Sequence, residues 1–147
     1  MKVRYHIAAS GIISSVVYFT TNSPLNAAAS FLTGVFIDLD HFVDYYLNCG
    51  ISYNFNEIHD AIYNLRLKKI YVFLHSFEIL FMLWLLIFLI PLKSVYLALA
   101  IGFTQHMLFD LICNPVNARG YFLSYRLKMG FKREFILKPA VLFSTDK

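Results

Sequence analysis

The sequence predicts an all-α integral membrane protein, in which a transmembrane four-helix bundle is followed by a C-terminal interfacial amphipathic helix. Two observations predict this fold class. Of the 147 residues, 59% are hydrophobic and only 15% are charged, against about 25% charged in a typical soluble domain. The apolar residues also gather into four segments of a length that can cross, or nearly cross, a bilayer as a helix.

The four apolar segments are the predicted spans. They cover residues 5–20, 26–46, 70–90 and 94–112. The first is rich in Ala, Ser and Gly, the small residues that let membrane helices pack closely, so we expect it to lie inside the bundle. The second ends in aromatic side chains, which are typical of a membrane interface. The third is the most apolar and stops at Pro91, because proline cannot continue a helix.

Two polar segments accompany the spans. Residues 48–69 form a loop that is predicted to contain a short amphipathic helix over 56–69. Residues 118–147 interleave aromatic side chains with Lys and Arg, a composition typical of a helix that lies in the lipid headgroup plane. We therefore predict two domains, a transmembrane metal-site domain over 1–117 and a basic aromatic interfacial tail over 118–147.

The positively charged residues predict the orientation. If both termini are cytoplasmic, only Lys93 of the 13 Lys and Arg residues lies on the outer side, as the positive-inside rule requires. The net charge of +4 then lies beside the spans, where lipid headgroups are the nearest partner, and no nucleic-acid binding is expected. Cys49 and Cys113 match no metal-binding spacing, so we expect free thiols.

Seven imidazole or carboxylate side chains lie inside the spans or at their edges. They are His6, Asp38, Asp40, His41, His75, His106 and Asp110. An ionisable group inside a membrane span costs several kcal/mol and therefore indicates a functional site. Because neighbouring spans run in opposite directions, all seven reach the cytoplasmic half of the membrane. Since His and Asp are ligands of divalent metals, we predict a metal-binding chamber there.

The helical spacing of these residues is informative. His106 and Asp110 are four residues apart and share one helical face, as do His75 and Glu78, which are three apart. On a regular helix Asp38 lies roughly 160° from Asp40. Both carboxylates can therefore enter one site only if the helix unwinds locally or the site holds more than one ion.

Four short motifs, in this order, resemble the small bacterial inner-membrane predicted metal-dependent hydrolases. They are residues 5–11 (YHIAASG), 37–41 (IDLDH), 74–76 (LHS) and 102–110 (GFTQHMLFD). That family is distantly similar in fold to the zinc-dependent phospholipase C and single-strand nuclease group, all-helical enzymes that cleave phosphoesters with clustered metal ions. The resemblance covers about residues 1–115. It implies a multi-pass protein of the bacterial inner membrane and metal-ligand roles for all seven residues.

The chain departs from the family pattern at two places. Many members carry His-Arg-Gly just before a Thr-His-Ser motif, whereas here the residues before His75 read KIYVFL. One metal ligand and one phosphate-binding cation are therefore missing from their usual place, and His59 or Arg66 in the preceding loop are candidates to replace them. The proline that often precedes the first Asp is replaced by Ile37.

The predicted function is a membrane-embedded metal-dependent hydrolase that cleaves a phosphoester of a lipid or other amphiphile at the cytoplasmic leaflet. Nitrogen and oxygen ligands without thiolate favour zinc, with manganese or iron as alternatives, and one to three ions are expected. Two ions would generate hydroxide and bind both the attacking and the leaving oxygen. Asp40 is a predicted catalytic residue that bridges ions, and Glu78 is a predicted general base or a residue that orients His75.

Two other classes of function stay open. A small ion transporter would also carry intramembrane Asp and His, but it would need polar residues along a path, and the outer halves of these spans offer only Ser, Thr and Asn. A non-catalytic membrane protein could use the same metal to hold four helices together. Both alternatives bind metal, so metal analysis alone does not separate them from the enzyme.

Overall fold

The computed structural model describes residues 3–91 and 93–140, and this part of the chain is all-helical, as predicted. Its eight α-helices are α1 (Val3–Thr21), α2 (Pro24–Phe36), α3 (Asp40–Cys49), α4 (Phe55–Tyr63), α5 (Phe77–Leu89), α6 (Lys93–Cys113), α7 (Leu123–Lys128) and α8 (Arg133–Ile136). Two short 3-10 turns occupy Ile37–Leu39 and Ala118–Tyr121.

The chain forms two compact units, each built from two segments that are distant in sequence. The first unit comprises Met1–Asp38 and Phe77–Asn114, and the second comprises Leu39–Ser76 and Pro115–Lys147. The predicted division at residue 117, into a membrane domain and an interfacial tail, stays a prediction. Residues 141–147 of the predicted tail lie outside the described residues.

In the first unit, α1, α2 and α6 pack against one another, and α5 packs on α6. The Ser23 side chain caps α2 by accepting a hydrogen bond from the Asn26 amide, and Pro24 occupies the first turn, where no amide hydrogen is needed. Gly102 brings α6 against the backbone of α2, because a Cβ atom at this position would lie 2.1 Å from the Ser30 carbonyl oxygen. This close approach requires a residue without a side chain.

Among the described helices, the segment Ser94–Cys113 of α6 is the one that is long and apolar enough to cross a membrane. It matches the predicted fourth span, and α1 matches the helix predicted over 5–20. Taken by itself, one such helix is weak evidence for a membrane, because a core helix of a soluble protein passes the same test. The four-span bundle therefore stays a prediction.

Two predicted spans are interrupted, and this corrects the prediction. The segment 26–46 is not one helix, because α2 ends at Phe36 and α3 starts at Asp40, with the 3-10 turn between them. In the segment 70–90 the helix begins only at Phe77. The backbone before it is hydrogen-bonded to side chains from elsewhere in the chain, which replace the bonds of a helix.

The second unit contains α3, α4 and the C-terminal helices. The helix predicted over 56–69 is shorter than expected, since α4 ends at Tyr63. In place of the one C-terminal amphipathic helix that was predicted, the described part of the tail contains α7 and α8, which have six and four residues and are separated by Gly130 at a φ of +62°. This tail is tied to the loop after α4, because the Ile70 amide donates to the Phe131 carbonyl at 2.8 Å.

Candidate metal centre

Four side chains of the first unit converge on one point. They are His6, Asp38, His106 and Asp110, and each offers a ligand atom within 4.8 Å of the other three. His6 Nε2 lies 3.1 Å from Asp110 Oδ1. His106 Nε2 lies 3.4 Å from Asp110 Oδ2 and 3.5 Å from Asp38 Oδ1. These four residues could hold a divalent metal ion.

The distances agree with the size of such an ion. Ligand atoms at about 2.0–2.2 Å from a tetrahedral zinc lie about 3.3–3.6 Å from one another, and the three separations above fall in or near this range. His6 Nε2 approaches the Asp110 carboxylate closely, yet neither ring nitrogen of His6 has a hydrogen-bond partner among the described residues. A buried nitrogen that faces an oxygen without bonding to it is the arrangement expected of two ligands of one ion.

His106 is held in the orientation that a metal ligand needs. Its Nδ1 lies 2.8 Å from the carbonyl oxygen of Gly34. Because a carbonyl can only accept, a ring bonded in this way carries a proton on Nδ1, so that Nε2, which faces the two carboxylates, is the nitrogen that could bind a metal. Metal-binding histidines are commonly oriented in this way by a bond from the second ring nitrogen.

Three helices position the cluster. His6 lies in the first turns of α1, and His106 and Asp110 lie one turn apart on α6, as their spacing predicted. Asp38 lies in the 3-10 turn that follows α2. Gly34 allows α1 to approach α2, because a Cβ atom there would lie 2.3 Å from the hydroxyl oxygen of Ser10.

Three of the four side chains in the first-unit cluster are buried, and the fourth is partly exposed to solvent. His6 and His106 are 1% and 0% exposed, and Asp110 is also buried. The Asp38 side chain is 16% exposed. Asp38 is therefore the most exposed of the four cluster residues. The His6 and His106 rings stack with their centroids 4.0 Å apart, which leaves little room for a ligand between them.

The other three predicted ligands come together in the second unit. His75 Nδ1 lies 3.5 Å from Asp40 Oδ2, and the His41 and His75 rings have centroids 4.8 Å apart. Asp40 Oδ2 also accepts a hydrogen bond from the Leu74 amide at 2.6 Å. Nearby, Asp44 Oδ1 accepts from the Tyr71 amide at 2.7 Å. The single chamber that was predicted for all seven residues stays a prediction.

Glu78 and His75 do not share a helical face, contrary to the sequence prediction. Glu78 lies in the first turn of α5, in the first unit, whereas His75 lies in the non-helical segment before it, in the second unit. The helix begins too late because Leu74 and Tyr71 donate their amide hydrogens to carboxylates. The roles predicted for Glu78 and Asp40 in catalysis stay predictions.

The two candidate replacements for the missing family residues have local partners. His59 stacks on the Tyr63 ring with centroids 4.1 Å apart. Arg66 pairs with the Asp60 carboxylate at 2.5 Å on the surface. Their proposed replacement of the family ligand and cation stays a prediction. Cys49 and Cys113 are exposed free thiols, as expected.

Sequence reasoning missed three kinds of supporting residue. Gly34 orients His106 through its backbone carbonyl. Gln105 accepts a hydrogen bond from the buried Ser10 hydroxyl at 3.0 Å. Arg126 is buried, although the sequence placed it in an interfacial tail. The burial of Arg126 had no signal in the sequence, because its partners are more than 50 residues away.

Comparison with known proteins does not add to this site. The chain matches no protein-family model, and no curated protein and no solved structure is significantly similar to it. The assignment of a possible metal centre therefore depends on the four side chains themselves.

Proposed function

We propose that this protein is a membrane-embedded metal-dependent hydrolase that cleaves a phosphoester of a lipid or other amphiphilic substrate. The observation that carries the proposal is the cluster of His6, Asp38, His106 and Asp110, two imidazoles and two carboxylates that converge in the first unit. This ligand set suits zinc best, with manganese or iron as alternatives, since no thiolate takes part. One ion fits the cluster, and the proposal allows up to three in the protein.

A bound zinc would supply a Lewis acid and an activated water at neutral pH. The side chains of the chain supply the rest. The bond from His106 to the Gly34 carbonyl fixes the imidazole, and burial of the cluster excludes bulk water. Asp38 is the most exposed member, and we propose that a phosphoester enters beside it. Asp40 and Glu78 are proposed as catalytic residues, with Glu78 as the general base.

Exposed apolar surface supports the membrane location. No residue of α5 is buried, and Phe81, Phe88 and Leu89 are 68%, 76% and 71% exposed. A contiguous apolar surface of this kind is unfavourable in water and indicates a membrane or a partner protein. We propose that lipid chains surround the first unit in a bacterial inner membrane, with both termini cytoplasmic. A lipid phosphate is then the nearest substrate.

A non-catalytic metal site is the main alternative, and one observation favours it. Three of the four cluster residues are buried, and structural zinc sites are closed, whereas catalytic sites keep an open position. The partial exposure of Asp38 favours catalysis. A small ion transporter is a weaker alternative. His6 lies near the start of α1, and His106 and Asp110 lie near the end of α6. The cluster therefore occupies one end of these helices and does not extend along them as a transport path would.

Turnover measurements test the proposal. The zinc-loaded protein in mixed micelles is assayed for phosphate release from a polyprenyl phosphate and for cleavage of bis(p-nitrophenyl) phosphate. We expect turnover that falls at least about tenfold in Asp38→Asn and is unchanged in Glu134→Gln, an exposed carboxylate of α8 that serves as the control. Metal that is bound at full stoichiometry without turnover on either substrate would reject the hydrolase and favour the structural site.

A further inference from the structure

Arg126 is the largest wholly buried side chain in the described part of the protein. It lies on α7 and is 0% exposed. A guanidinium removed from water costs several kcal/mol unless its donors are satisfied. Here Nη1 donates to the carbonyl oxygens of Tyr71 and Val72, at 3.0 and 2.6 Å, and Nη2 donates to that of His75 at 3.0 Å.

The segment that Arg126 contacts is irregular and needs outside partners. It precedes α5, and Val72 has a φ of +20°, a conformation that β-branched residues rarely adopt. Its carbonyls face the guanidinium, while the amides of Tyr71 and Leu74 donate to Asp44 and Asp40. The backbone is therefore held between one cation and two carboxylates.

This segment, which we call the histidine loop (residues 71–75), ends at His75. The His75 ring is buried against Asp40 and His41, with Nδ1 3.5 Å from Asp40 Oδ2. Since the carbonyl of His75 itself accepts from Nη2 of Arg126, the guanidinium holds the backbone from which this imidazole extends.

We propose that Arg126 is a positioning residue that fixes the histidine loop, so that His75 stays against Asp40 and His41. Both terminal nitrogens of the guanidinium donate to backbone carbonyls, and the side chain has no exposed surface. Arg126 therefore acts through His75 and does not bind a substrate phosphate. Its effect on turnover rests on the proposed function, whereas its effect on the geometry of His75 does not.

Nitrogen NMR of the imidazoles tests the proposal in the full-length, metal-free protein in detergent. The protein is labelled at its five histidines, and the signals are assigned with single His→Gln variants. In Arg126→Met we expect the His75 and His41 signals to shift or broaden, while those of His6 and His106 stay unchanged. Arg126→Lys keeps the charge but not the forked donors, so its His75 signal is expected between those of the wild type and of Arg126→Met.

Arg133→Met is the matched control. Arg133 also donates Nη1 to a backbone carbonyl of the second unit, that of Leu65 at 3.0 Å, and Leu65 lies outside the histidine loop. We expect its His75 signal to match the wild type. An unchanged His75 signal in folded Arg126→Met, or an equal shift in Arg133→Met, would overturn the proposal. If Arg126→Met does not fold, an unshifted His75 in Arg126→Lys overturns it instead.

Kinetics give a second measurement. In the proposed function Asp40 is a catalytic residue, and His75 lies against it. Arg126→Lys therefore lowers kcat at least about tenfold by displacing His75, with little change in KM, because the substrate does not contact the Arg126 side chain. A rise in KM with unchanged kcat would instead identify a substrate-binding role. A wild-type protein without turnover would reject the proposed function and leave the NMR comparison valid, because the NMR spectra are recorded without metal or substrate.

Discussion

The carbonyl oxygen of Gly34 accepts a hydrogen bond from Nδ1 of His106 at 2.8 Å. Gly34 lies in the last turn of α2, where the final four carbonyls of a helix have no regular partner within the helix. The end of α2 at Phe36 thus leaves an acceptor for the imidazole. The interruption of the helix after Phe36 therefore places Asp38 in the cluster and also orients His106.

Replacement of His106 should abolish metal binding. We expect His106→Ala to lower zinc affinity at least about 100-fold, because the variant loses one of the four ligands. Glu134→Ala is the control, since Glu134 is an exposed residue of α8 and is not among the candidate ligands. Zinc is measured by elemental analysis after dialysis. Wild-type stoichiometry in His106→Ala would rule out the site.

A methyl group at Gly34 should disturb the packing of α1 and α2 that supports the cluster. In Gly34→Ala the new Cβ would lie 2.3 Å from the hydroxyl oxygen and 3.1 Å from the Cβ of Ser10, so the Ser10 side chain or the helices must shift, at a cost of about 1–3 kcal/mol. We expect lower thermal stability and weaker zinc binding. Gly11→Ala is the control, because no heavy atom lies within 4 Å of its new Cβ. Equal stability of the two variants would contradict this packing.

Trp84 reports on the surroundings of α5, because it is the single tryptophan of the chain. Its indole donates to the Thr104 hydroxyl at 3.0 Å, and the ring is 36% exposed. If lipid surrounds this helix, we expect lipids with brominated acyl chains to quench its fluorescence, and aqueous acrylamide to quench it weakly. Strong acrylamide quenching without bromine quenching would contradict the proposed membrane location of α5.

Removal of the metal should destabilise the first unit. A metal that binds only the folded protein stabilises it by about 2.7 kcal/mol at a free concentration 100 times its Kd. We therefore expect a chelator to lower the Tm of the wild type and zinc to restore it. Asp110→Asn should show a much smaller zinc-dependent change. A wild-type Tm that does not respond to either reagent would exclude a metal bound by the four residues.

Much of the first-unit cluster could be predicted from the sequence. The helix of α6 and its spacing of four residues put His106 and Asp110 on one face, and opposite chain directions brought His6 to the same end. These are local properties, set by helical geometry and by the alternation of neighbouring helices. Local unwinding near Asp38 was one of the two alternatives predicted, and the 3-10 turn lies there; the other alternative, more than one ion, stays a prediction.

The second unit could not be predicted in the same way. The segment 70–76 is apolar enough to continue α5, but Asp40, Asp44 and Arg126 satisfy its backbone groups from distant positions. Hydropathy gives no signal for such long-range hydrogen bonds. The sequence prediction placed Arg126 at a membrane surface because the side chain is charged. Tertiary contacts overrode the local preference of both segments.

The two halves of the second unit are synthesised at different times. His75 leaves the ribosome 51 residues before Arg126, an interval of roughly 3 to 10 s at ordinary translation rates. Throughout this interval the three carbonyls of the histidine loop lack their guanidinium donor. The unit is therefore completed only late in translation, and a nascent chain that stalls before residue 126 exposes an unfinished fold to proteases and chaperones.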